Sequence, residues 1–192
     1  MNGTISKQKL KDAMIRMLEQ KHFEDIHVID LCREAHVSRV TFYNWYSDKY
    51  ELLDDIFQDE IQGISEEIER MQKKNNPEDD PIRGYCNLMD AVLVRYDEHY
   101  RFFSHASMSD DTWLYYYFYI SVLHGMETML HRYRNRICPE FDDDQMAAFL
   151  CGGMWDFIRV CKEKGMGREE ILSEAEKMMT AVLHSRAFHI NF

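Results

Sequence analysis

Between Ser38 and Leu53 the chain reads SRVTFYNWYSDKYELL, a stretch that sets Arg39 and Lys49 among rings and hydroxyls. The side-chain types suit hydrogen bonding to a polyanion that also presents base edges. Arg39 matches the paired acceptors of guanine, Asn44 the donor and acceptor of adenine, and Val40 packs against a thymine methyl. Ser38, Thr41 and Tyr43 supply hydroxyl donors for phosphate oxygens, Lys49 adds a cation, and Trp45 is placed to flank the backbone. Val37, Phe42 and Tyr46 fall at spacings that turn them inward.

Other chemistries find less support. His99, His105, His124 and His131 form no HxxxH or HxxE pair beside a third ligand on one helical face, so no metal is expected. The acidic runs Glu78-Asp79-Asp80 and Asp142-Asp143-Asp144 suit helix caps and solvated surface, and neither makes a catalytic dyad. Cys32, Cys86, Cys138, Cys151 and Cys161 are an odd set without a CxxC pair, which speaks against a zinc ribbon or a disulfide framework. No nucleophile stands beside a base. The expectation is a protein that is not an enzyme and carries no cofactor.

These side chains need elements to position them. After Ser6, Leu10, Ala13, Met14, Met17 and Leu18 follow one helical stripe. Val28, Leu31, Cys32 and Ala35 repeat the spacing over about two turns. A break at His36-Val37 precedes Ser38, an N-cap residue that opens a third short helix to about Tyr46. Asp48 caps a fourth helix, about 48–74, whose apolar positions run from Leu52 to Met71. Two short helices across a tight break, the second opened by Ser, are the pattern of a helix-turn-helix reader of DNA.

KKNNPEDDP, Lys73 to Pro81, reads as a linker, with Pro81 at the first position of the next helix. Further helices are predicted over 82–97, 99–107, 110–134, 143–164 and 168–189, giving about nine in an all-α protein. Only 8 Gly and 3 Pro in 192 residues agree with a helical fold. The domain boundaries read as 1–50 for the helix-turn-helix part and 51–192 for a helical effector-binding and dimerisation part.

The net charge of -11 argues against polyanion binding over the whole surface. Its distribution is uneven. Residues 1 to 50 hold eight Lys/Arg against seven Asp/Glu, or +1, which leaves -12 for the remainder. A neutral-to-basic head on an acidic body fits an anionic partner met by the head alone. No apolar run reaches signal-peptide or membrane-span character, so the expectation is a soluble cytoplasmic protein that meets no membrane.

The stretch VIDLCREAHVSRVTFYNWYSDKYELL resembles the signature of the TetR family of bacterial one-component transcriptional regulators. That signature joins a short helix, an Ala-Gly-Val turn, Ser, a Thr-aromatic-Tyr core and a Lys-x-x-Leu-Leu entry to the fourth helix. The resemblance covers about the first 60 residues. It implies base contacts from Arg39, Val40 and Asn44, and phosphate contacts from Ser38, Thr41, Tyr43, Trp45 and Lys49. It further implies a nucleoid-associated homodimer, most often a repressor, on a palindromic operator of double-stranded DNA. Two positions depart from the pattern. His36 stands where the family has Gly, so a side chain must sit in an uncommon backbone conformation. His27 stands where the family has a capping Thr or Ser. These departures and the acidic total leave open an adaptor or co-regulator that no longer reads DNA.

The C-terminal two-thirds, ending in GGMWDFIRVCKEKGMGREEILSEAEKMM, is loosely similar to the subgroup holding the dihydroxyacetone-kinase regulators. Tyr96, Tyr100, Phe103, Trp113, Tyr116, Tyr117 and His124 are candidates to line a pocket for an unknown small-molecule effector. Helix 143–164 carries two apolar stripes, Met146-Phe149-Leu150-Gly153-Phe157-Val160 and Ala147-Cys151-Trp155-Ile158. One stripe must face the chain's own core and the other a partner. The second is taken as the dimer face, with Ala175, Met179 and Val182 from the last helix.

Overall fold

The computed structural model describes residues 2–98 and 112–190. Among them are eight α-helices: α1 (Asn2–Leu18), α2 (Val28–Glu34), α3 (Arg39–Tyr43), α4 (Lys49–Asn75), α5 (Pro81–Glu98), α6 (Thr112–Tyr133), α7 (Asp143–Glu163) and α8 (Arg168–Leu183). The fold is all-α, as the periodicity predicts. The ninth helix expected over 99–107 lies outside the described residues. Two three-residue strands, β1 (Ile137–Pro139) and β2 (Phe188–Ile190), pair antiparallel with Cys138 opposite His189.

The described residues divide into two compact units, one of 2–61 with 112–118 and the other of 62–98 with 119–190. In the first, α1 begins at Asn2, a turn ahead of Ser6. It buries Leu10, Ala13, Met14 and Leu18 completely, the stripe its spacing predicts. Phe23 and Ile26 from the α1–α2 connection, Leu31, Phe42, Leu52 and Leu53 are buried too. A helix of five residues such as α3 has no stability by itself, because nucleation outweighs the few bonds it closes. Burial of Phe42, worth roughly 2 kcal/mol or more, is what fixes it in place.

In the second unit, the segment that reads as a linker is a built corner. Asn76 is buried, accepts from the Asp80 amide at 2.7 Å and donates to the Asp80 carbonyl at 2.9 Å, which turns the chain from α4 into α5. Gln72, Asn76, Asn87 and Tyr133 form a buried hydrogen-bonded set behind it. Gln72 Nε2 donates to the Tyr133 hydroxyl at 2.8 Å, and Gln72 Oε1 accepts from Asn76 and Asn87. Gly84 makes this possible, because a Cβ there would fall 2.1 Å from the Tyr133 hydroxyl oxygen. α5 and α8 pack along one another, with ion pairs Arg83–Glu176 at 3.1 Å and Arg168–Asp90 at 2.6 Å across the seam.

α8 stops at Leu183, six residues short of the predicted 189, and the chain continues into β2. β2 then pairs with β1 in the loop after α6, and the Glu140 amide bonds to the Ala187 carbonyl at 2.9 Å, while the Phe188 amide bonds back to the Ser185 carbonyl at 3.2 Å. No helix among the described residues is long and apolar enough to cross a membrane.

Candidate nucleic-acid interface

α2 and α3 meet through a turn of one residue in the left-handed conformation. His36 has φ 54°, its amide bonds to the Arg33 carbonyl at 3.2 Å, and the Val37 amide reaches the Cys32 carbonyl at 3.0 Å. This is the Schellman arrangement that usually ends on Gly. The same pair of bonds ends α7, where Gly165 has φ 73° and Met166 bonds back to Cys161. The departure at His36 is therefore accommodated, with a side chain held where Gly is favoured.

Ser38 caps α3 with its hydroxyl, which accepts from the Thr41 amide at 3.0 Å and lies 2.9 Å from Thr41 Oγ1. His27 precedes α2 without any side-chain cap bond, in keeping with its weak capping chemistry. Regular helix ends at Tyr43, earlier than the predicted Tyr46, because Trp45 bonds to the Phe42 carbonyl one residue sooner than an α-helix would. Tyr46 still bonds to the Phe42 carbonyl at 3.0 Å, so the backbone stays wound to that point.

The inward and outward faces divide as the spacing predicts, except that Val37 is only half-buried. Phe42 and Tyr46 are buried, at 0% and 3% exposure. Arg39, Val40, Tyr43, Asn44 and Trp45 are exposed, Val40 at 71%. The Arg39 guanidinium lies over the Tyr43 ring, 6.0 Å from its centroid, and Tyr43 stands edge-on to Phe42 at 5.4 Å. A cation, an amide, hydroxyls and an apolar branch thus share one short surface.

Lys49 departs from its expected part. Its ammonium donates to the Phe23 carbonyl at 2.8 Å and the Glu24 carbonyl at 3.2 Å, and lies 3.7 Å from the Glu24 carboxylate. It sits 4.4 Å from the Phe23 ring centroid and 5.5 Å from that of Tyr50, with its side chain only 13% exposed. With two carbonyls as hydrogen-bond acceptors and the Glu24 carboxylate as an ion-pair partner, Lys49 clamps the α1–α2 connection to the start of α4.

A second polar cluster escapes sequence inspection. Lys11 is 5% exposed, and its ammonium contacts Asp55 Oδ2 at 2.8 Å, the Asp55 carbonyl at 3.1 Å and Asp59 Oδ2 at 2.6 Å. The Tyr46 hydroxyl donates to Asp55 Oδ2 at 2.7 Å, and Lys7 lies 2.9 Å from the same oxygen. Burial alone would raise the Asp55 pKa, yet the bonds from Lys11, Tyr46 and Lys7 bring it down to about 2. The signal available in the sequence was the hydroxyl on the inward ring of Tyr46, which demands a buried partner.

The residues expected to line an effector pocket are not gathered by the described part. Tyr100 and Phe103 lie outside it, and Tyr96, Trp113 and Tyr117 have described backbone only. Tyr116 is 54% exposed, and His124 is exposed with its ring 3.8 Å from Glu127 one turn on.

The α7 stripe expected as the dimer face turns inward. Ala147, Cys151, Trp155 and Ile158 are buried in the chain's own unit, as are Ala175 and Met179 of α8, while Val182 is half-buried. Small side chains such as Ala147, Cys151 and Ala175 suit close helix packing, which draws that stripe inward. Burial pushes the Cys151 thiol up to about 12, so it is an inert packing group. Of the other stripe Met146 and Leu150 are buried too, Phe157 is half-buried, and Phe149, Gly153 and Val160 face outward. Phe149 is 72% exposed and Met178 51%, and with Gly153, Phe157 and Val182 they line an apolar groove of about 190 Å³ over Met89 and Leu150. A Cβ at Gly152 or Gly153 would meet no atom of the chain within 4 Å.

By sequence the chain matches no protein-family model and no curated protein. Its structure is similar to those of several regulators. The fatty acid degradation regulator FadR from Bacillus halodurans superposes with a TM-score of 0.70 at 14% identity, over 94% of this chain and 97% of that one. A TetR transcriptional regulator from Streptococcus agalactiae gives 0.65 at 19%, over 93% and 95%. The dihydroxyacetone kinase operon activator DhaS gives 0.63 at 16%, over 94% and 97%. Over nearly its whole length, the chain has the fold of the TetR-family transcriptional regulators.

Proposed function

We propose that this chain is a sequence-specific DNA-binding transcriptional regulator that acts as a homodimer on a palindromic operator. The observation that carries the reading is α3 itself. Its N-terminus is capped by Ser38, its inner side is locked by Phe42 and Tyr46, and it presents Arg39, Val40, Tyr43, Asn44 and Trp45 to solvent. Arg39, Val40 and Asn44 read bases, and Ser38, Thr41, Tyr43 and Trp45 meet the backbone. Lys49 serves as a clamp in this reading.

A second copy of the chain covers the outward stripe of α7 and α8. An exposed Phe149 and Met178 beside a glycine pair that the chain's own packing leaves unused support close approach of an identical helix pair. Two α3 helices are then held roughly 35 Å apart, one DNA turn, as paired half-sites require. The protein represses by occupying its operator. A small effector bound in the C-terminal part releases it by favouring a dimer in which the two α3 helices no longer match that spacing.

The test is selection of bound duplexes from random DNA, followed by gel shifts on the recovered sites and on the region upstream of the protein's own gene. A salt-sensitive shift lost in Arg39→Ala is the expected result. The internal engagement of Lys49 and the net charge of -11 favour one second reading, a protein adaptor with this fold that no longer reads DNA. Failure to recover any duplex, with capture of a protein partner at the α3 surface, would establish that alternative.

A further inference from the structure

The Lys11–Asp55–Tyr46 cluster ties three elements at one carboxylate. Asp55 stands on α4, Lys7 and Lys11 on α1, and Tyr46 at the wound end of α3. Tyr46 packs against Phe42 at 5.9 Å between ring centroids, and Phe42 packs against Tyr43, an outward residue of α3. A continuous path of contacts runs from Asp55 through two buried rings to the exposed surface of α3. Buried charge sets of this kind add little net stability over an apolar core, and their best-attested use is to fix one arrangement among several. The Tyr46 ring alone would fill the space, so its hydroxyl adds direction to the packing rather than bulk.

We infer that Asp55 is a positioning residue for DNA reading, holding α3 at a fixed angle on α4 through the Tyr46 hydroxyl while Lys7 and Lys11 keep the carboxylate in place. This rests on the reading of α3 as the DNA-contacting helix. With the bond intact, α3 and the first half of α4 behave as one piece. Without it, α3 keeps its apolar anchor but pivots about Phe42, and the outward side chains lose their register on base edges.

The full-length protein is compared with Tyr46→Phe, which removes only the hydroxyl, and with Asp55→Ala, which removes its acceptor. Amide hydrogen exchange is measured without DNA, and affinity is measured on a duplex recovered by selection. In Tyr46→Phe the amides of Phe42, Asn44 and Tyr46 are expected to exchange about tenfold faster, while α1 and α2 keep their protection. Affinity for the duplex falls about tenfold in each variant, with no change in the slope of log affinity against log salt, since no phosphate contact is lost. The double variant is no weaker than Asp55→Ala alone, because both changes break the Tyr46–Asp55 bond.

Wild-type exchange across α3 in Tyr46→Phe would overturn the inference. So would a salt slope reduced by about one, which would put the hydroxyl on a phosphate. If the wild-type protein binds no duplex, the reading of α3 as a DNA helix fails, and the exchange of the α3 amides still decides whether Asp55 holds that helix.

Discussion

Two exposed surfaces of this chain invite comparison, the outer side of α3 and the outer side of α7 and α8. The first mixes Arg39, Asn44 and hydroxyls with Val40 and Trp45, and the second offers Phe149, Phe157, Met178 and a pair of glycines with few polar atoms. Both leave large apolar groups in water. On α3 the polar groups dominate, as the proposed charged partner requires, whereas the apolar side of α7 and α8 matches the second copy proposed to cover it. The difference teaches that exposure alone does not define a partner; the chemistry interleaved with it does.

The comparison breaks most visibly at Phe149. Phe149→Glu places a charge in the middle of the apolar face and is expected to raise the dimer dissociation constant by about a hundredfold or more, read by sedimentation equilibrium. Operator affinity falls with it, because a lone α3 contacts one half-site. A dimer as tight as wild type would remove that face from the interface.

Arg39 and Lys49 sharpen the other surface, since both are cations of the same stretch and only one is free of the fold. Arg39→Ala is expected to cost about 1–3 kcal/mol of operator affinity and to relax the base preference at one position. Lys49→Met leaves the salt slope of binding unchanged and lowers the melting temperature instead, since two carbonyls and a ring lose their cation. A slope that drops by about one in Lys49→Met would return that residue to the phosphate backbone.

Acid sharpens the comparison from the side of α3, which Asp55 backs through the Tyr46 hydroxyl. The folded Asp55 carboxyl is held at about 2 against an ordinary 3.8, so its contribution to stability is complete above about pH 4 and is lost as pH falls toward 2. Thermal melts between pH 5 and pH 2 are expected to show an extra loss in wild type that Asp55→Asn lacks. Parallel curves for the two proteins would refute it.

The smallest effect is expected at the matched helix ends. His36→Gly relieves a left-handed residue and should stabilise the protein by about 1 kcal/mol, while Gly165→Ala should destabilise it by a similar amount. Chemical denaturation measures both. A destabilised His36→Gly would mean that the imidazole makes a contact outweighing the strain.

Much of the surface proposed to read DNA was legible because it is local. The cap at Ser38, the inward Phe42 and Tyr46, the outward Arg39 and Asn44 and the uncommon backbone at His36 all lie within eleven residues, where helical period and capping chemistry decide direction. Lys49 was misread for a physical reason. A cation at the start of a helix looks free until the chain folds Phe23 and Glu24 against it from 25 residues away. The stripes of α7 were legible as two apolar faces, but spacing carries no label for inside or outside, and only the packing of α7 within its own unit drew Ala147 and Cys151 inward. The β1–β2 pair had no signal at all, since three-residue strands gain their identity from a partner some fifty residues distant.

By itself, then, the sequence determined the all-α class, the helix-turn-helix order and the outward face of α3, because each follows from residues within one or two turns of each other. Only the tertiary structure decided which stripe of α7 meets solvent, that Lys49 closes on the α1–α2 connection, and that Asp55 joins Tyr46 to Lys11. Those outcomes depend on contacts between residues far apart in the chain, where the free energy of burial and pairing is settled by what the rest of the fold brings near.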